Sequence, residues 1–183
     1  GAEQSSNYSA LIDPTDDELR SRLTHVGRAL AWKAADERRA IGVSGATCDH
    51  WFTIADNVVV EADGSRKRPF KAPAAHEPVI PTSTTLLLAC IGISAFGRPI
   101  ADGCHRPELV AALARCGVDD VLTPRRAAAV LLSPAGSQKD RPPTARFVVA
   151  LHRVREVDSD TVTELAEALG DKAELIAVRE RAF

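Results

Sequence analysis

The chain has 183 residues, 45% apolar and 26% charged, with a net charge of −2. That size and composition suit one globular domain with a real core. The weak net charge supplies no global field for nucleic acid, and no apolar run reaches the length of a membrane span, so both of those classes are set aside.

The polar start GAEQSSNYS does not read as a signal peptide, and none is expected from it. Cys48, Cys90, Cys104 and Cys116 show no paired spacing, which predicts a reducing compartment, cytoplasm or organelle matrix, and not secretion. The sequence contains no Met, even at position 1. The chain is therefore expected to be processed, tagged or a fragment.

In chain order, Pro14 and Thr15 followed by acids predict a helix start. Leu19, Leu23, Val26 and Leu30 share one helical face, which carries the predicted helix to about residue 40. Residues 48–54 are ambiguous. Three consecutive valines make 58–61 the first predicted strand, and 62–83 follows as a long connection with Pro69, Pro73, Pro78 and Pro81. Residues 86–93 read as a buried strand, and 107–116 as a helix with Pro at its first turn and Gly117 past its end. Another helix is predicted over 124–132, then a loop over 136–143, a strand over 147–151, and a helix over 159–169 capped by Asp158 or Ser159. A strand over 175–178 closes the series. Strands alternating with helices predict an α/β fold with a mostly parallel sheet flanked by helices.

The segment 58–81 carries the most chemistry. Glu61, Asp63 and Gly64 follow directly on the predicted strand, where carboxylates of an open α/β sheet meet the ligand crevice. Arg66, Lys67, Arg68 and Lys71 come next. Paired acids that could hold Mg²⁺, followed by cations that could meet phosphate, point to a nucleotide-handling site. An Asp-Gly turn with a solvated basic loop accounts for the same residues. His76 beside Glu77 is either a base or metal ligand, or a residue that hydrogen-bonds its own loop. Cys48, His50, Cys104 and His105 form a zinc set by residue type but lack zinc-site spacing. Cys90, in an apolar run, is expected to be buried and inert, whereas Cys104 and Cys116 are thiolate candidates by type alone. Trp32 and Trp51 are expected as core or interface anchors.

From about residue 55 onward the motifs EADGSRKRPFKAPAAHEPVIP, CIGISAFGRPI, HRPELVAAL and LTPRRAAAVLLSPAGSQKDRPP recur in an order that resembles the YqeC-type family. Its members are accessory proteins for selenium-dependent molybdenum hydroxylases and resemble P-loop NTPases. The resemblance divides one α/β domain over 1–183 into an N-terminal helical segment to residue 54 and a family-like core over 55–183. It implies that Glu61 and Asp63 stand at the Walker B position. It places Lys71, Pro73, His76, Glu77 and Pro78 in the KAPxxHEPVIP loop, and Gly92, Gly97, Arg98 and Pro99 in the glycine turn. His105, Arg106 and Pro107 match HRPE, and Lys139 matches the lysine of a G-x-x-K loop. Arg66, Lys71, His76, Gly92, Arg98, His105, Arg106 and Lys139 are thus candidates for an anion or substrate site.

Two departures qualify that implication. No G-x-x-x-x-G-K-[ST] occurs in the 183 residues, and a phosphate loop works through backbone N–H groups that scattered arginines do not replace. Where the family carries an N-K-x-D-like motif, this chain has His152, Arg153, Val154 and Arg155. The expectation is a truncated or degenerate P-loop-like fold that does not hydrolyse nucleotide alone. Mg-nucleotide would bind only if a phosphate loop were supplied elsewhere, and a protein partner or second copy would cover an exposed sheet edge. Two functions follow: an accessory maturation factor, or a non-catalytic structural or interaction subunit of a larger assembly.

Overall fold

The computed structural model describes residues 10–36 and 40–179. The chain falls into two compact units, one built from residues 1–60 with 81–83 and the other from 61–80 with 84–183.

The first unit contains β1 (Leu11–Ile12), α1 (Asp16–Val26), β2 (Ala31–Trp32), β3 (Ala34–Ala35), β4 (Ala40–Ile41) and α2 (Gly45–Trp51). A capping box starts α1. The Thr15 hydroxyl accepts from the Glu18 N–H, and the Glu18 carboxylate accepts from the Thr15 N–H at 2.8 Å. The helix stops at Gly27, whose φ of 73° supplies a left-handed cap. This corrects the expected helix to residue 40. Beyond Gly27 the chain turns into β2, which runs parallel to β1, and then into the antiparallel β3–β4 pair. The apolar spacing through Leu30 imitated helical continuation, but the glycine decided the outcome. The expected strand at 58–61 is also corrected. These residues form no strand, and Val59 is 98% exposed. An apolar run forms a buried strand only when neighbours pair with it.

Within this unit, Asp49 of α2 ties down residues 81–83. One carboxylate oxygen accepts from the Thr82 N–H and hydroxyl at 3.2 and 2.8 Å. The other accepts from the Ser83 N–H and hydroxyl at 2.8 and 2.5 Å. The Ser83 bonds hold the Asp49 pKa down at about 2, opposed by desolvation and helped by the Thr82 bonds. A depressed carboxylate pKa contributes stability that is present above the ordinary value of 3.8 and lost as pH falls toward about 2. Both tryptophans, Trp32 and Trp51, lie in this unit and are half-buried, so their fluorescence reports on it. Asp49→Asn should lower the fluorescence-detected melting temperature at pH 7 and flatten its fall between pH 4 and 2. A melting curve unchanged at pH 7 would show that these bonds contribute nothing net.

The second unit carries the main sheet: β5 (Phe70–Lys71), β6 (Leu86–Gly92), α3 (Ile100–Gly103), β7 (Cys104–His105), α4 (Pro107–Ala114), α5 (Pro124–Leu131), β8 (Arg146–Val154), α6 (Ser159–Leu169) and β9 (Glu174–Arg179). The three long strands form one all-parallel sheet in the order β6-β8-β9. β5 and β7 form a separate two-stranded parallel pair. The fold is therefore mixed α/β with mostly parallel sheets flanked by helices. Three of the four expected strands lie in the main sheet.

Strand alternation divides the sheet into two faces. Leu87, Ala89, Ile91, Phe147, Val149, Leu151 and Leu175 belong to the core that includes Val110 of α4, Val130 and Leu131 of α5, and Leu165 and Leu169 of α6. The opposite face carries Leu86, Leu88, Ile176 and Val178, each between 44 and 48% exposed. Cys90 stands on this face and is exposed, which corrects its expected burial. Parallel sheets ordinarily have both faces covered, so an apolar face this open is unusual.

Candidate functional site

The site is built where the 61–80 segment meets the loop after α3. β5 pairs with β7 in parallel register, which sets Lys71 directly beside His105. Arg106, the next residue, has φ 57°. Pro107 disfavours the right-handed helical region for its predecessor. Arg106 takes the left-handed region instead, an uncommon conformation outside glycine, and its guanidinium reaches Glu77.

Glu77 is the hub. Its Oε1 accepts from Lys71 Nζ at 2.6 Å, from the Ala74 N–H at 3.3 Å, and from Arg106 Nη1. The side chains of Glu77 and Lys71 are only 13 and 12% exposed. Desolvation alone would raise the Glu77 pKa, but Lys71, the Ala74 amide and Arg106 outweigh it, and the net direction is downward. Lys71 Nζ also lies 3.2 Å from the Asp63 carboxylate and donates to the Gly64 carbonyl at 2.9 Å. Lys139 closes the far side. Its Nζ donates to the carbonyls of Ala75 and Glu77 at 3.3 and 3.0 Å and to Asp140 at 2.7 Å. Those carbonyls flank His76, which stays exposed at the tip of the loop.

The structure thus brings Asp63, Lys71, Glu77, His105, Arg106 and Lys139 together. Most of the charge is compensated: Lys71 by Asp63 and Glu77, Arg106 by Glu77, Lys139 by Asp140. His105 differs. Partial burial, then the positive charges of Arg106, Lys71 and Arg66, lower its pKa and outweigh Glu77. Its imidazole is therefore neutral at pH 7 and able to accept a proton or a ligand. Arg66, itself at φ 50°, adds positive charge near this ring.

Other candidates lie apart from this hub. Glu61 is exposed and forms no ion pair among the described residues. Gly92 ends β6, and its N–H donates to the Pro69 carbonyl at 2.8 Å. A Cβ there would stand 2.9 Å from Pro69 Cβ and 3.2 Å from His152 Cε1, so Pro69, just before β5, and His152 of β8 pack against this glycine. Arg98 is exposed, and its backbone pairs with Leu122. Among the described residues no three His, Cys, Asp or Glu side chains converge to hold a metal. Of the residues in the zinc set, His50 hydrogen-bonds Asp16 at 2.9 Å in the first unit, and Cys104 is buried in the second. Burial, opposed by Arg68, pushes the Cys104 thiol up to about 11, so it is not the thiolate expected by residue type. Arg153 and Arg155, which stand where the family carries its N-K-x-D-like motif, line a cavity beside the end of the sheet.

Taken together, the fold defines an α/β protein with a parallel sheet and a polar cluster anchored on a proline-rich loop. A family model described as YqeC protein matches residues 2–108, more than half of the chain. The chain belongs to the YqeC family. Over 105 residues it is 31% identical to a protein of Escherichia coli (strain K12) described as uncharacterized protein YqeC. That match covers 57% of this chain and 41% of the relative, so the chain spans about two-fifths of the curated relative's length. No solved structure matches. Among the described residues no helix is long and apolar enough to cross a membrane.

Proposed function

We propose that this chain acts as an accessory factor in the maturation of selenium-dependent molybdenum hydroxylases, the role that the YqeC resemblance implies. The observation that supports it most is the convergence of family-matching residues from distant segments, Asp63, Lys71, Glu77, His105, Arg106 and Lys139, around one neutral histidine. In this reading His105 and Arg66 receive an anionic or nucleophilic group, and Glu77 with Lys71 holds the loop that presents them. Glu61 or Asp63 would orient Mg²⁺ only if nucleotide were held by a phosphate loop from outside these residues.

The non-catalytic interaction subunit remains the second reading. The apolar sheet face of Leu86, Leu88, Ile176 and Val178 favours it, because such a face stands ready for a protein partner or second copy. One experiment separates the two. A host lacking this chain is complemented with His105→Gln or with the double variant Leu88→Asp, Ile176→Asp. Activity and bound selenium of the host's molybdenum hydroxylase are then measured. The maturation reading expects His105→Gln to lower both by about tenfold or more while the chain stays folded. Normal hydroxylase with His105→Gln, together with loss of co-purifying protein in the double variant, would favour the interaction subunit.

A further inference from the structure

The central strand ends irregularly. His152 pairs with Val178 and Val154 with Arg179, which leaves Arg153 between them as a bulge with φ 61°. A non-glycine residue persists in this region only where its surroundings over-determine it. A bulge also re-aims the side chain it carries.

Here the re-aimed side chain lines a cavity of ≈ 420 Å³. Ile93, Ser94 and Phe96, just past β6, form one wall, and Asp158 and Thr161, at the start of α6, form another. The cavity therefore opens at the carboxyl ends of β6 and β8, the end at which open parallel sheets take ligands. Its volume lies within the range of small-molecule sites.

The charges do not cancel. Arg155 is committed to Asp158, with its Nε and Nη2 each 3.2 Å from a carboxylate oxygen and its backbone N–H at 2.8 Å. Arg153 has no carboxylate ion-pair partner among the described residues. One guanidinium charge thus remains at the mouth, beside the Ser94 and Thr161 side chains and the apolar surfaces of Ile93 and Phe96.

We propose that this cavity binds a small organic anion, with its phosphate or carboxylate on the Arg153 guanidinium and its apolar portion against Ile93 and Phe96. A planar fork of N–H donors matches either oxyanion. The apolar walls select against the bare ion. This inference does not depend on the maturation reading, and its test contains no hydroxylase.

Titration calorimetry with the purified chain uses phenyl phosphate and benzoate as probes, with inorganic phosphate and phenol as the two halves. Saturable binding is expected for phenyl phosphate or benzoate, tighter than for either half, and whichever binds better identifies the oxyanion. Arg153→Gly suits a left-handed backbone, so it should melt no lower than the parent while weakening binding by about tenfold or more. Should that variant melt lower, Arg153→Asn, also tolerant of this conformation, replaces it. Arg153→Lys should recover part of the affinity, and Lys172→Met, at an exposed position beyond α6, should leave it unchanged. The proposal is overturned if neither probe saturates below about 10 mM, if removing the guanidinium leaves binding intact, or if Lys172→Met weakens binding as much as Arg153→Gly does.

Discussion

Glu77→Ala should destabilise the second unit by about 3 kcal/mol, at the low end of what breaking a buried ion pair costs. The magnitude follows from what stays behind. Lys71 and Arg106, with side chains only 12 and 24% exposed, would lose the carboxylate oxygen they share. The Ala74 N–H would lose its acceptor as well. Asp63 retains a hold on Lys71 at 3.2 Å, which keeps the loss from being larger. Glu77→Gln preserves an acceptor but not the charge, so about half that loss is expected. Urea unfolding followed by far-UV circular dichroism measures both.

The pH dependence has a definite sign. The Glu77 pKa is lowered in the folded chain, so its contribution is fully present above the ordinary value of 4.5 and disappears as pH falls below it. The gap between parent and Glu77→Ala should therefore narrow below pH 4.5. A gap under about 1 kcal/mol at pH 7 would mean that the network behaves as a solvated surface ion pair and does not hold the loop.

Much of this second unit is legible from sequence because its signals are local and mutually consistent. The strands at 86–93, 147–151 and 175–178 are apolar runs set between helices, and the structure has them in one parallel sheet, although the expected cap of α6 by Asp158 or Ser159 makes no side-chain bond because Arg155 takes the Asp158 carboxylate. Pro107 and Pro124 at the first turns of α4 and α5 mark those helices correctly. The first unit is harder to read because its strands are only two residues long. No periodicity is visible in two residues, and the apolar spacing past Gly27 suggests a helix that the glycine stops. The valines at 58–60 show the complementary failure: composition signals a strand, but no partner lies alongside. At the site, the KAPxxHEPVIP and HRPE motifs name most of the residues that converge. Their order along the chain does not reveal that Glu77 would consume the charges of Lys71 and Arg106 and leave His105 as the distinct group. Pairing of β5 with β7 creates that arrangement, and each contributes only two residues. The Arg153 bulge is equally hidden, since a register shift in a strand leaves no mark in composition.

Gly136→Ala should destabilise the chain by about 3 kcal/mol or more, beyond ordinary overpacking because the obstacle is backbone. Gly136 is buried in the turn after α5. A Cβ built on it would stand 2.0 Å from the Val130 carbonyl oxygen and 3.1 Å from Ser133 Cβ. No rotamer relieves that clash, so the turn itself must move. The turn is held by the Gly136 N–H on the Ser133 carbonyl at 2.9 Å and by the Ser137 N–H on the Val130 carbonyl at 3.1 Å. Both bonds satisfy carbonyls at or just beyond the end of α5, where intrahelical partners run out. The Lys139 N–H donates to the Gly136 carbonyl at 3.0 Å, so displacing the turn also displaces the side chain that grips the carbonyls on either side of His76. Loss of stability and loss of the site's loop geometry should therefore appear together. Gly64→Ala serves as the control, because a Cβ there meets nothing within 4 Å, and its change should stay within about 0.5 kcal/mol. Equal unfolding midpoints for the two variants in urea would show that the turn after α5 yields easily and that Lys139 is not positioned by it.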